Sequence, residues 1–186
     1  MPAAFSISPV VDLIDVPRRI ALSGLPAGAE VTIAAETPRD GSVWRAEAVF
    51  SAGTDGSIDL GRDAPLRGDY AGVAAMGLIW AQTGSGELFP SDLSRPLETT
   101  LTAATGDETV ATGRFSQILM ADGVARHSLA EDGLVGTLFL PAGEGPHPAI
   151  MILNGSGGGI NEPRAALWAS RGVAALALGY FGAPGL

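Results

Sequence analysis

Apolar and polar positions alternate with period two along much of residues 1–120. Ile20 and Leu22 point one way within Arg18–Ser23, Val31 and Ile33 repeat the pattern within Glu30–Thr37, and Val43–Phe50 alternates again. Period two sends successive side chains to opposite faces of a sheet, so these runs predict half-buried strands. Turn residues separate them: Gly24-Leu-Pro-Ala-Gly28, Pro38-Arg-Asp-Gly41 and Thr54-Asp-Gly56, where Pro sets φ and Gly takes conformations other residues avoid. Further strands are predicted at Phe5–Pro9, Ser57–Leu60, Ala74–Ala81, Leu97–Ala104 and Glu108–Met120. Several short strands about ten residues apart predict an all-β, immunoglobulin-like sandwich over residues 1–122. With no cysteine pair, that likeness is one of architecture.

The pattern changes near Ala121-Asp-Gly123. Val124–Leu129 and Leu134–Leu140 flank Ala130-Glu-Asp-Gly133, which reads as a hairpin, and a Pro- and Gly-rich loop runs from Pro141 to Pro148. A short apolar run, Pro148–Asn154, then breaks into Gly155-Ser-Gly-Gly-Gly159. A helical pattern opens at Pro163 and stops at Gly172, and a second buried run, Val173–Ala177, follows at once. Strand, glycine-rich turn, helix and strand make one βαβ unit. A hairpin feeding such a unit is how an α/β-hydrolase-type sheet begins. Residues 123–186 are therefore predicted to be the first part of an α/β-hydrolase-type domain.

Composition narrows the partners. The chain has 20 acidic residues against 11 basic ones, a net charge of −9, and every basic residue is Arg. Cations supply most of the affinity for nucleic acid and anionic membranes, so neither is an expected partner. There is no cysteine and there are only two histidines, which argues against thiolate chemistry and a zinc site. No cofactor and no metal are expected. No apolar run reaches the ~18 residues of a membrane span, and the N-terminus lacks an export pattern, so the expected location is cytoplasmic.

The glycine run is the strongest candidate for chemistry. A dinucleotide fingerprint would need Gly where Ile160 stands, and an acidic partner further on. A phosphate-binding P-loop would need Lys, which the chain lacks. Two readings stay open: an oxyanion loop whose backbone N–H groups face a reacting carbonyl, or glycines that merely permit a tight turn. The candidate donors are the N–H groups of Gly155, Ser156, Gly157 and Gly158. Ser156 as a nucleophile fails on spacing, because Asn154 occupies the place of an elbow's first glycine. Glu162 and Arg164 at the helix start read as capping and ion-pair residues. His127 and His147 read as solvated, and Trp44, Trp80 and Trp168 as packing residues.

Taken together, the two halves resemble the family of acyl-CoA thioesterases and bile-acid-CoA:amino-acid N-acyltransferases. The resemblance rests on Gly24-Leu-Pro26, Val31-Thr-Ile33, Trp44, Gly68-Asp-Tyr-Ala-Gly72 and Met76-Gly-Leu-Ile-Trp80. It continues through Gly136-Thr-Leu-Phe-Leu-Pro141, Gly155–Gly159, Ser170-Arg-Gly172 and Ala177-Leu-Gly-Tyr-Phe-Gly182. It implies an N-terminal β-sandwich followed by an α/β-hydrolase domain, and an acyl-CoA substrate attacked by a Ser or Cys nucleophile with Asp and His. It also implies that the triad lies downstream of Leu186, so this polypeptide alone is expected to be inactive. A two-stranded start of a parallel sheet is expected to be completed by a C-terminal fragment or by a second copy. The alternatives are a non-catalytic interaction module or remnant, transfer of the acyl group to an amino acid, and an ester or dienelactone hydrolase with an added sandwich.

Overall fold

Alternation in the sequence becomes alternation in burial. In the strand Glu30–Arg39 the side chains of Val31, Ile33, Ala35 and Thr37 are buried while Glu30, Glu36 and Pro38 hold the other face. The computed structural model describes residues 2–130, 133–183 and 186. It divides into two units, residues 1–91 with 96–117 and residues 92–95 with 118–186.

The first unit is built from β1 (Ala4–Ser8), β2 (Val11–Leu13), β3 (Arg19–Ser23), β4 (Glu30–Arg39), β5 (Ser42–Ser51), β6 (Ile58–Asp59) and β7 (Arg67–Gly68). A single helical turn, α1 (Gly77–Trp80), precedes β8 (Leu97–Thr105) and β9 (Glu108–Ile118). These strands form a three-stranded sheet, β1-β3-β6, and a six-stranded sheet, β2-β9-β8-β4-β5-β7. Ile20, Leu22 and Ile58 of the first sheet share one buried cluster with Val31, Ile33, Phe50, Leu101 and Phe115 of the second. Two sheets with a common apolar core are consistent with a β-sandwich.

Two expectations need correction here. The turn expected at Pro38–Gly41 is shorter, because β4 runs on through Pro38, opposite Val43, to Arg39, opposite Ser42. Proline is tolerated because the pairing of β4 with β8 ends at Glu36–Thr100, leaving β4 an edge strand at Pro38. The strand expected at Ala74–Ala81 is the helical turn α1. A strand would turn neighbouring side chains to opposite faces, whereas Met76, Gly77, Leu78 and Ile79 are all buried. One turn of helix puts them into the same core and leaves Trp80 76% exposed. The Tyr70 ring lies against Gly77, where an added Cβ would come within 2.3 Å of it.

The second unit holds β10 (Ala125–Leu129), β11 (Val135–Leu140), β12 (Ala149–Leu153), α2 (Glu162–Ala169) and β13 (Ala174–Gly179). Their order is β10-β11-β13-β12, with only β12 and β13 parallel. The expected parallel pair is thus part of a four-stranded mixed sheet, with the hairpin β10–β11 on the β13 side. Two residues of its expected turn, 131 and 132, lie outside the described residues. Helix α2 packs on β13 and β11, and its buried residues, Ala165, Ala166 and Ala169, are all small. Its first turn is capped by Asn161, whose side chain accepts from the Arg164 N–H at 3.3 Å. Among the described residues β12 pairs on one side only. Ile152 is buried, but Met151 and Leu153 are 56% and 49% exposed.

Candidate functional site

The run Asn154–Gly159 leaves the carboxyl end of β12, beside the carboxyl end of its parallel neighbour β13. Open α/β sheets bind ligands just outside this end of their strands. Several bonds hold the loop. The Asn154 side-chain amide donates to the Gly158 carbonyl at 2.5 Å. The Gly158 N–H donates to the Gly155 carbonyl at 3.0 Å, closing a turn with Ser156 and Gly157 at its centre. The Gly159 N–H donates to Phe181 at 2.9 Å, and the Tyr180 hydroxyl donates to the Asn154 carbonyl at 2.9 Å. The segment that follows β13 therefore fastens the loop that follows β12.

The glycines divide by role. Gly158 has φ +68 and is buried, and a Cβ there would stand 2.6 Å from the Phe181 oxygen. Gly159 has φ +81. Both are required by backbone geometry. Gly155 and Gly157 have neither a positive φ nor a close neighbour, and with Ser156 they are exposed. Among the described residues the N–H groups of Gly155, Ser156 and Gly157 have no hydrogen-bond partner, while those of Gly158 and Gly159 are engaged. Three free amides on one exposed turn can face an anion or a developing oxyanion.

Among the described residues neither histidine stands beside Ser156. His127 lies on β10, in a row with Leu138 and Leu176 that ends at Met151 on β12. Three strand spacings put it about 14 Å from β12, and it is exposed. His147 precedes the opposite end of β12 and lines a cavity there with Gly123, Leu140 and Pro146. Neither can take the Ser156 proton. Among the described residues no group of three or more His, Cys, Asp or Glu could hold a metal ion. Among the described residues no helix is long and apolar enough to cross a membrane.

Glu162 is an ion-pair residue, but its partner is not Arg164. The Arg126 Nε and Nη2 donate to its carboxylate at 2.9 and 2.6 Å, and the Thr137 hydroxyl donates at 2.6 Å. Burial raises the carboxyl pKa, but the hydrogen bonds from Arg126 and Thr137 outweigh it and hold the group below its ordinary range. This cluster ties β10 and β11 to the start of α2. Sequence spacing could not reveal it, since Arg126 lies 36 residues from its partner. The same holds for Asn154 and Tyr180, which fix the loop without touching its free amides. The tryptophans are less buried than expected for packing residues: Trp80 is 76% exposed and Trp168 41%.

A model of the family described as the acyl-CoA thioester hydrolase/BAAT N-terminal region matches residues 15–131. Acyl-coenzyme A thioesterase 5 of Mus musculus is 36% identical over 176 residues, covering 90% of this chain and 42% of the relative. Mitochondrial acyl-coenzyme A thioesterase 2 of Homo sapiens is 35% identical over 176 residues, 90% of this chain and 36% of the relative. The peroxisomal succinyl-coenzyme A thioesterase of Mus musculus is 35% identical over 191 residues, 97% of this chain and 45% of the relative. The chain spans less than half the length of these relatives.

Proposed function

This chain belongs to the acyl-CoA thioester hydrolase/BAAT family, and we propose that it is the N-terminal part of an acyl-CoA thioesterase. Residues 1–122 are its sandwich domain. Residues 123–186 begin its α/β-hydrolase domain, a reading supported by the order β10-β11-β13-β12 with a parallel β12–β13 pair. The observation that carries the reading is the turn at the carboxyl end of β12, with the N–H groups of Gly155, Ser156 and Gly157 free.

In the reaction, a Ser or Cys outside these residues, activated by His and Asp, attacks the thioester carbonyl. One amide of the loop stabilises the tetrahedral oxyanion. Collapse breaks the C–S bond and releases CoA, and water then frees the acid from the acyl-enzyme. The missing strands pair with the open edge of β12, where Met151 and Leu153 are exposed, and come from the remainder of a longer polypeptide. A second copy of this chain is the other candidate. Release to an amino acid instead of water is the second reading, favoured by the family description itself. A cytoplasmic location is the sequence expectation, while one relative is named mitochondrial and another peroxisomal.

The test is thiol release from an acyl-CoA. The 186-residue polypeptide alone is expected to give none above a buffer blank. A longer protein containing it should turn over, and Gly157→Pro, which deletes one N–H, should lower its turnover by about 10²-fold or more. Turnover by the short chain alone would sink the proposal, as would full turnover in all three of Gly155→Pro, Ser156→Pro and Gly157→Pro.

A further inference from the structure

Two arginines of the first unit are buried, and they are satisfied very differently. Arg18 is 1% exposed, and its guanidinium donates to four backbone carbonyls, those of Leu13, Val16, Asp12 and Ser116. Arg39 is 8% exposed and has two acceptors, the Leu88 carbonyl and, at a long 3.4 Å, the Gln82 side-chain oxygen. The Nε of each arginine has no partner, and neither has the buried indole N–H of Trp44, whose ring centre lies 4.6 Å from the Arg39 guanidinium. Among the described residues no carboxylate pairs with Arg39. Burial accordingly lowers its pKa with nothing opposing.

Arg39 and Trp44 line a half-open cavity of about 300 Å³, with Trp80, Phe89 and Leu88 among its apolar walls. That volume is at the lower end of the roughly 300–1,000 Å³ typical of ligand pockets. A desolvated cation with idle donors beside flat apolar walls lacks one thing, an anionic acceptor. We propose that this cavity binds a small organic acid, its carboxylate on Arg39 and its apolar body against Trp44, Trp80 and Phe89. One cation is balanced by one negative charge, which favours a monocarboxylate over a phosphate dianion. The walls favour an acid with an aliphatic or aromatic body over a polar one. The site is separate from the glycine loop and does not depend on the thioesterase reading, since its ligand carries no thioester.

The experiment is a calorimetric titration of the purified 186-residue chain with octanoate and, separately, with octanol, with tryptophan fluorescence followed in parallel. Octanoate is expected to saturate one site per chain and to bind at least about tenfold more tightly than the alcohol, the scale of one charged hydrogen bond. Arg39→Gln should remove that preference, and Arg39→Lys should keep part of it. Trp80→Ala alters a side chain that is mostly in solvent, so the fold should survive, and octanoate affinity should fall about threefold or more. No saturable octanoate binding, equal binding of the alcohol, or unchanged affinity in Trp80→Ala would each overturn the proposal. If Arg39→Gln does not fold, the acid–alcohol pair and Trp80→Ala still decide it.

Discussion

The side-chain amide of Asn154 donates to the carbonyl of Gly158 across the turn that ends β12. The bond shuts the loop on its own entry residue, and the Gly158 carbonyl sits at a buried position. An unpaired buried carbonyl costs about 1–3 kcal/mol. Asn154→Ala is therefore expected to destabilise the second unit by that order. Hydrogen exchange at Gly159, bonded to Phe181, should accelerate in the variant.

The four loop glycines should not respond alike to alanine. At Gly158 the left-handed φ costs about 1–2 kcal/mol, and the new Cβ meets the Phe181 oxygen at 2.6 Å, so the total loss should exceed 2 kcal/mol. At Gly157 nothing lies within 4 Å and φ is not positive, so Gly157→Ala should stay within about 0.5 kcal/mol. Chemical denaturation of the two variants side by side gives the comparison.

Glu162 makes the second unit acid-sensitive. Its folded pKa is held below the ordinary value, so its contribution is complete above the unfolded glutamate value of about 4.3. That contribution is lost as the pH falls through the folded pKa. Wild-type stability should drop in this window, and Glu162→Gln should flatten the drop. At pH 7 the variant should be weaker by about 1–2 kcal/mol, between an exposed ion pair and a charged, part-buried hydrogen bond. Thermal unfolding between pH 3 and 7 measures both effects.

Neighbouring arginines should differ sharply. Arg18→Met strands the carbonyls of Leu13, Val16, Asp12 and Ser116 in the interior and is expected to cost about 3 kcal/mol or more. Arg19 pairs with Asp59 at 3.1 Å, but its side chain is 78% exposed, so Arg19→Met should cost well under 1 kcal/mol. The shift in urea midpoint of each variant provides the readout.

On β12, Ile152→Ala should cost about 2–4 kcal/mol because its side chain is buried. Met151→Glu and Leu153→Glu should change the stability of the isolated chain by less than about 0.5 kcal/mol. Once the rest of an α/β domain covers that face, the same two substitutions should become strongly destabilising. Comparing unfolding of the short chain with that of a longer protein tests this directly.

Much of this was legible in the sequence where local rules govern. Period-two runs located the long strands β4 and β5, Gly and Asp at the junctions marked off β8 and β9, and the strand–glycine–helix–strand order located β12, α2 and β13. The rules failed where burial overrode alternation, as at Leu78 and Ile79, which one helical turn buries together. They failed again at Pro38, which tolerates a strand because the pairing of β4 with β8 ends at Glu36. At the loop, the sequence offered four equivalent amides from Gly155 to Gly158. Which of them were free depended on a turn closed by Gly158 and a tie from Gly159 to Phe181.

By itself the chain determined what short-range sterics and solvation dictate: which residues alternate, where glycine must bend the backbone, and that no lysine or cysteine chemistry is available. Only the tertiary structure decided which distant groups meet. Arg126 and Thr137 reach Glu162, Tyr180 reaches Asn154, and Arg39 is left in a cavity with no carboxylate among the described residues. Such pairings depend on sheet order and register. These are set by the burial of whole faces, and no local spacing in the sequence records them.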